Sequence, residues 1–456
     1  MVRRDQCVRG GWLVSAPLFA VVLMATPAAG LEGAETWGHP QPAVHALDVL
    51  IRGDIDRFDA SWRDLGAVVV DRSVRVGDVR KIAFDGVSWL KQRGDRRVVE
   101  LRARVHVVRK GQHPRLQLKL GEAGGVRVTV RAAGKVLADA ERLADGEREL
   151  DVVLPAARLR TLRPVPRTRF PRLALGFYYA WYGRADGPTR RWRHWDARLP
   201  HNGIHDTPTL DLYDSMDPAV IDQHMRWAKE AGLDGLIVSW WHAEEPTQAH
   251  LKLLLDAAAS HGLRMSVYIE EGVDLQRLRR DARQLLTAFG KHPAWLHVDG
   301  KPLLMGYGRL HDRHGADGVA VALGGLGAYL CVSGLDAEQL DRVETLHTYF
   351  HAEHYEQYVG GLDLLRRASV MRRRPLVATV MPAYDDRNIR PPGFALEPDD
   401  GARWRHNWAM AQGADWVLLT SFNEWHEGSQ IEPSLEHGSS RIEATRTAIA
   451  AWKAAP

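Results

Sequence analysis

Trp416-Val417-Leu418-Leu419-Thr420-Ser421-Phe422-Asn423-Glu424-Trp425-His426-Glu427-Gly428 starts as an apolar run and ends in two carboxylates, an indole and an imidazole. Its first five residues read as a fully buried strand. Such a strand does not normally end in charge, because each charge near a core must be paired or hydrogen-bonded. On an ideal strand Glu424 and Glu427 would point to opposite faces. They converge only if the chain leaves β geometry at Trp425 and His426, a turn that Gly428 can ease. Two carboxylates at this spacing suit acid/base or nucleophilic work on a glycosidic bond. The plain alternative is a pair of solvated loop charges.

Outward from this stretch, short apolar runs alternate with amphipathic helical segments from about residue 173 onward. Strands are expected at 173–179, 235–240, 264–269, 302–307, 329–332, 345–349, 376–380 and 416–420. Helices are expected at 217–231, 250–261, 275–289 and 401–412. Eight strands with intervening helices over about 280 residues fit an α/β fold of the (β/α)8 TIM-barrel type, usually about 250 residues. A doubly wound sheet is the alternative, but no Gly-rich phosphate turn follows the first strand, and Gly324-Gly325-Leu326-Gly327 does not match that fingerprint.

Barrel chemistry sits where strands end at their C-termini. Those ends hold Tyr178, Tyr179, Trp181 and Tyr182 after the first strand, and Trp240 and His242 after the second. Glu270 follows the third strand, Tyr307 the fourth, Tyr349 the sixth and Tyr384 the seventh. Asn423, Glu424, Trp425, His426 and Glu427 follow the eighth. Any single Tyr or Trp here is better explained as packing, but seven exits that combine aromatic and polar residues describe a groove for a carbohydrate.

Between about 45 and 160 the texture is different. Leu101, Ala103, Val105 and Val107 alternate with Arg102, Arg104 and His106, and similar alternation recurs at 116–120 and 126–130. Such runs predict an antiparallel β-sandwich-like accessory domain ahead of the barrel. An Arg- and Pro-rich linker at 158–172 places the boundary. The expected division is a signal peptide at 1–30, a β-rich domain at 31–165 and the barrel at 166–456. Arg3, Arg4 and Arg9 precede an apolar segment from Trp12 to Ala25, with small residues at Ala28-Ala29-Gly30. That segment is short for a membrane span, so the expected product is exported (periplasmic, cell-surface or secreted) with no membrane span after cleavage.

The net charge of +4 falls to +2 once 1–30, with its three arginines and one aspartate, is removed. That balance, with basic residues scattered along the chain, excludes a nucleic-acid partner. Cleavage would also remove Cys7 and leave Cys331, which lies in an apolar strand and reads as a small core residue. No disulfide is then expected, and oligomeric state is left open.

The residues resemble glycoside hydrolase family 99, the endo-acting α-mannosidases and α-mannanases. The resemblance rests on Phe177 to Gly183, Arg193-His194-Trp195, Asp217 to Met225, Ala231 to Trp240, Pro382 to Pro391, and above all Thr420 to Pro433. It covers about residues 174 to 436 and adds His194 and Trp195 to the binding residues. It implies retaining hydrolysis of an α-linked mannoside within a chain. Glu424 would take a proton from the sugar 2-hydroxyl, giving a 1,2-anhydro sugar. Glu427 would protonate the leaving oxygen and then activate water. Tyr307, matching the family's fourth-strand tyrosine, would hydrogen-bond Glu424. The sequence departs from the family at Glu271-Gly272-Val273-Asp274 and at 241–246, so another α-linked glycan is the alternative substrate.

Two competing readings remain. His351-Ala352-Glu353-His354 has metal-ligand spacing, and His426-Glu427 opens like a zincin motif but has Gln430 where the second His belongs. No complete ligand set is present, so neither metal nor cofactor is expected. A non-catalytic glycan-binding protein on the same barrel would need the aromatic groove but gains nothing from an acid/base pair. The expected partner is an oligo- or polysaccharide.

Overall fold

The computed structural model describes residues 45–455 apart from short segments at 56–57, 64, 77–81, 84–89, 93–97, 110–112, 121–122, 143–148, 165–167, 199–201, 244–245, 271–273, 350–354 and 397–400. The expected signal peptide and the His351–His354 pair lie outside the described residues.

Eight parallel strands form the barrel: β1 (Leu173–Tyr178), β2 (Gly235–Trp240), β3 (Arg264–Ile269), β4 (Lys301–Gly306), β5 (Tyr329–Ser333), β6 (Thr345–His347), β7 (Val377–Val380) and β8 (Trp416–Leu419). They lie side by side in the order β6-β5-β4-β3-β2-β1-β8-β7. Around them run α1 (Pro218–Glu230), α2 (Pro246–His261), α3 (Leu275–Phe289), α4 (Gly308–Leu323), α5 (Tyr355–Arg372), α6 (Ala402–Met410) and α7 (Ser440–Ala454). The (β/α)8 expectation is borne out.

Local chemistry explains the helix starts. Asp217 accepts from Ala219 N at 2.9 Å, with Pro218 beside it in the first turn, and Asp274 accepts from Arg277 N at 2.7 Å. Leu278, Ala282 and Leu285 form the buried stripe of α3.

Strand alternation divides the core in two. Tyr178, Leu236, Val238, Trp240, Val267, Ile269 and Leu419 point outward and pack with Ile221, Met225 and Leu254 of the helices. Leu175, Phe177, Tyr179, Ile237, Tyr268, Met305, Cys331, Trp416 and Leu418 point inward and fill the barrel. Cys331 is free and fully enclosed, and burial pushes its thiol up, as befits a core residue.

No ladder joins β6 to β7 among the described residues; side chains bridge the seam instead. Tyr358 of α5 accepts from Thr379 N at 2.8 Å and donates to Thr379 O at 2.9 Å. Thr345 Oγ1 donates to Pro375 O at 2.8 Å, and Thr379 Oγ1 donates to Thr348 O. Buried strand groups that lack a neighbouring strand are thereby satisfied.

Two five-stranded antiparallel sheets precede the barrel. One runs Leu65–Val76, Val98–Arg109, His45–Ile55, Ala123–Ala132, Lys135–Arg142 in spatial order. The other runs Glu149–Val153, Arg115–Leu120, Phe58–Arg63, Leu90–Gln92, Ile82–Ala83. Leu47, Val49, Val105, Val107 and Val128 of the first meet Leu116, Leu118, Leu150 and Val152 of the second in one cluster.

Tyr358→Phe removes the hydroxyl at the seam and strands a buried N–H and C=O of Thr379. The expected loss is about 1–3 kcal/mol for such orphaned groups, read as a lower denaturant midpoint with unchanged slope.

Candidate active site

The chain leaves β8 and turns at once. Trp425–Glu427 is a single 3-10 turn with Glu424 at its N-cap, closed by Gly428 in the left-handed region at φ +61°. The segment then doubles back: Ser421 N donates to Ser429 O at 2.8 Å, and Glu432 N to Phe422 O at 2.9 Å. Glu424 stands at the start of this turn and Glu427 at its end, close enough for the charge of Glu424 to act on Glu427. The chain does leave β geometry at Trp425 and His426, as the spacing of the two glutamates requires for them to converge.

Both carboxylates are buried, Glu424 at 3% exposure and Glu427 at 9%. Glu424 accepts from His426 N at 3.2 Å, and its Oε1 lies 3.5 Å from His426 Nδ1. Burial alone would pull the His426 imidazole down, but the adjacent Glu424 carboxylate outweighs it and holds the ring above its usual range. Glu427 accepts from Tyr349 Oη at 2.9 Å and from Arg390 Nη2 at 2.9 Å. Burial, reinforced by the charge of Glu424, nonetheless raises Glu427 above the ordinary carboxylate range, with Arg390 and Tyr349 opposing. Arg390 is itself held by Asp386 at 2.6 Å and by the Tyr384 hydroxyl at 3.0 Å.

A third carboxyl, Glu270, ends β3 at 6% exposure. Burial is the main cause that pushes it up to about 8; Glu424 and Glu427 add to this, while Ser239 and Arg309 oppose it. Around these groups Trp181 stacks on His194 at 4.4 Å between ring centres, and Tyr179 lies 4.5 Å from Trp181. Tyr182 faces His426 at 5.8 Å. His426 Nε2 donates to His194 O at 2.8 Å, so it carries the proton on that side.

Several expected contributors sit elsewhere. Tyr178 and Trp240 occupy the outward positions of β1 and β2, inside the strand–helix core, because alternate residues face opposite sides of a strand. Asn423, Trp425 and Trp195 lie beneath the groove, with their polar atoms already spent. Asn423 clasps β1 by accepting from Tyr179 N at 2.8 Å and donating to Tyr179 O at 2.9 Å. Trp425 Nε1 donates to Glu432 Oε2 at 2.9 Å, and Trp195 Nε1 to Tyr213 O at 3.1 Å. The Tyr307–Glu424 hydrogen bond is not formed among the described residues. Tyr307 stands edge-on to Tyr349, at 5.9 Å and 84°, and it is Tyr349 that reaches a carboxylate, that of Glu427.

A profile of glycosyl hydrolase family 99 matches residues 171–313. Over this segment the chain is similar to glycoside hydrolase family 99. The glycoprotein endo-alpha-1,2-mannosidase of Xenopus laevis is 28% identical over 310 residues, covering 57% of this chain and 69% of the relative. That of Rattus norvegicus is 26% identical over 319 residues, covering 57% and 67%. The family 99 endo-alpha-mannosidase of Bacteroides thetaiotaomicron shares the fold at a TM-score of 0.54 and 23% identity, over 61% of this chain and 97% of that one. The protein is a glycoside hydrolase. The profile match spans Glu270 and Tyr307 and ends before the Glu424–Glu427 turn.

Sequence reasoning missed Arg390 as a site residue. It sits in a loop without periodicity, and its only signal was the acid-rich Tyr384-Asp385-Asp386 just upstream. Arg309, in the first turn of α4, was also missed; its guanidinium lies 5.5 Å from the Tyr307 ring and 5.8 Å from that of Trp241.

Glu270, pushed up to about 8, is mostly protonated at neutral pH and ionises as pH rises through that value. Glu270→Gln mimics the protonated form. It is expected to hold activity within about threefold below pH 7 and to flatten the decline toward pH 9, whereas Glu270→Ala loses about tenfold or more throughout. A pH series of kcat/KM for both variants measures this.

Proposed function

We propose that the enzyme is a retaining, endo-acting hydrolase of α-linked mannosides that works through a 1,2-anhydro sugar. The observation that carries the reading is the turn after β8, which buries Glu424 and Glu427 within electrostatic reach of each other at the C-terminal end of the barrel strands. The substrate class is that named for the Xenopus and rat relatives.

In this reading Glu424 accepts the proton of the sugar 2-hydroxyl, and that oxygen attacks the anomeric carbon. The glycosidic bond breaks with its electron pair moving to the departing oxygen, which takes the proton held by Glu427. Water then attacks the anomeric carbon and gives a proton to Glu427. The three-membered ring opens, and its oxygen regains the proton from Glu424. Two inversions leave the configuration retained. The raised proton affinity of Glu427 suits an acid that must be loaded before each turnover. Trp181 and His194, which stack on each other and keep some exposure, supply flat faces for neighbouring sugars.

The loops at 241–246 and 271–274, which depart from the family's sequence, favour another α-linked glycan as the second reading of substrate. Within the proposal, 1–30 directs export, 31–165 supports the barrel, and 166–456 carries catalysis. No helix among the described residues is long and apolar enough to cross a membrane.

Incubation with a panel of α-mannans and other α-glycans, read by product size and by NMR of the first-formed anomer, tests the substrate and the stereochemistry together. Internal cleavage of an α-mannan with retained configuration is expected; inverted product would sink the mechanism. Glu427→Gln should cost about a hundredfold or more in kcat, with glycan binding preserved in calorimetry.

Arg390→Gln removes the cation that opposes the rise of Glu427. Glu427 then holds its proton to higher pH, so the alkaline limb of kcat is expected to move upward by about one unit, the size of a nearby charge's effect. A shift to lower pH would contradict the assignment of Glu427 as the acid.

A further inference from the structure

Behind the catalytic turn, away from the groove, lies a polar network that the mechanism does not use. His224 of α1 and Glu432 are fully buried, with His224 Nε2 3.1 Å from Glu432 Oε1. Tyr178 Oη lies 3.0 Å from His224 Nδ1. The other oxygen of Glu432 accepts from Tyr213 Oη at 2.8 Å and from Trp425 Nε1 at 2.9 Å. Tyr213 Oη also accepts from Trp425 Nε1 at 3.2 Å and from Asn423 Nδ2 at 3.3 Å.

His224 Nε2 donates to the Glu432 carboxylate, and the Tyr178 hydroxyl shares a hydrogen bond with Nδ1. Glu432 then accepts from three donors, and both of its oxygens are used. Among the described residues, the side chains of Trp425 and Asn423 connect this network to the turn that holds Glu424 and Glu427. A buried carboxylate–imidazole pair adds little to stability over apolar residues of the same size. What it does supply is a fixed direction, because a fully satisfied polar network permits one arrangement of its members. Trp425, the residue after Glu424, is held at both ends: its indole by Glu432 and Tyr213, its backbone N by Tyr182 Oη at 3.2 Å.

We propose that His224 and Glu432 are positioning residues, which set the spacing and aim of the Glu424–Glu427 pair through the indole of Trp425. The proposal rests on the reading of those two glutamates as the catalytic pair. Neither His224 nor Glu432 touches substrate, so their loss acts on turnover and spares binding.

The test compares Glu432→Gln and His224→Gln with Glu427→Gln and with Leu285→Ala, a core variant in α3 remote from the turn. With α-1,2-linked mannotetraose as substrate, Glu432→Gln and His224→Gln are expected to lose about tenfold to a hundredfold in kcat, the scale of a small misplacement of reacting groups. KM should stay within about threefold, since the groove is untouched. Leu285→Ala lowers the melting temperature but keeps kcat, which separates aim from stability. Parent-like kcat in Glu432→Gln and His224→Gln, with Glu427→Gln inactive, overturns the positioning role and leaves the catalytic pair standing. Full activity in Glu427→Gln overturns both. If Glu432→Gln does not fold, Tyr178→Phe decides: it frees only the outer end of the chain and should cost about threefold in kcat at constant KM, and no change there overturns the proposal.

Discussion

Two carboxyl groups buried in one turn repel each other, and water is too scarce there to screen them. Glu424 and Glu427 live under that constraint, and the surroundings answer it separately for each. Glu424 faces the imidazole of His426, its neighbour along the turn. Glu427 faces Tyr349 from the exit of β6 and Arg390 from the loop after β7. The pair therefore depends on three strand exits brought side by side, which a closed barrel provides and an isolated hairpin does not.

The same logic runs outward from Arg390. A guanidinium placed against one carboxylate needs further acceptors, and Asp386 with the Tyr384 hydroxyl supplies them. Asp386 is in turn fixed by Phe394 N at 2.6 Å. Asp385 N donates to the carbonyl of Glu427 at 2.8 Å, so the β7 loop grips the catalytic turn by its backbone as well as its charge. On the other flank Asn423 replaces a strand ladder, pairing with both backbone groups of Tyr179 after β1 and β8 have diverged. Each such bond adds about 0.5–1.5 kcal/mol net, but removal of one partner inside the core costs more than its formation gains.

Most of the barrel was legible in the sequence because its strands are short apolar runs and its helices carry caps and stripes that need no distant partner. Arg264–Ile269, Gly235–Trp240 and Leu275–Phe289 appear where periodicity put them. The site was less legible. Tyr178 and Tyr179 look alike in the sequence, and both faces of a parallel strand are apolar, so the pattern does not say which face is inside. Only closure decides: Tyr179 turns toward the groove, and Tyr178 toward α1 and His224. Trp425 misleads for a related reason. An aromatic between two glutamates suggests a sugar platform, yet the indole of Trp425 is fully buried and meets Glu432 instead.

By itself the sequence determined the fold class and singled out the two glutamates as the proposed catalytic pair, because these follow from local patterns: buried runs, helix caps and charges where a core should be. The tertiary structure decided which aromatic residues face the barrel interior, that Arg390 closes on Glu427, and that Glu270 lies within electrostatic reach of the pair. Those facts depend on contacts between exits far apart in the chain. Charge near charge, and the direction a side chain takes from a strand, exist only once the ring of strands has closed.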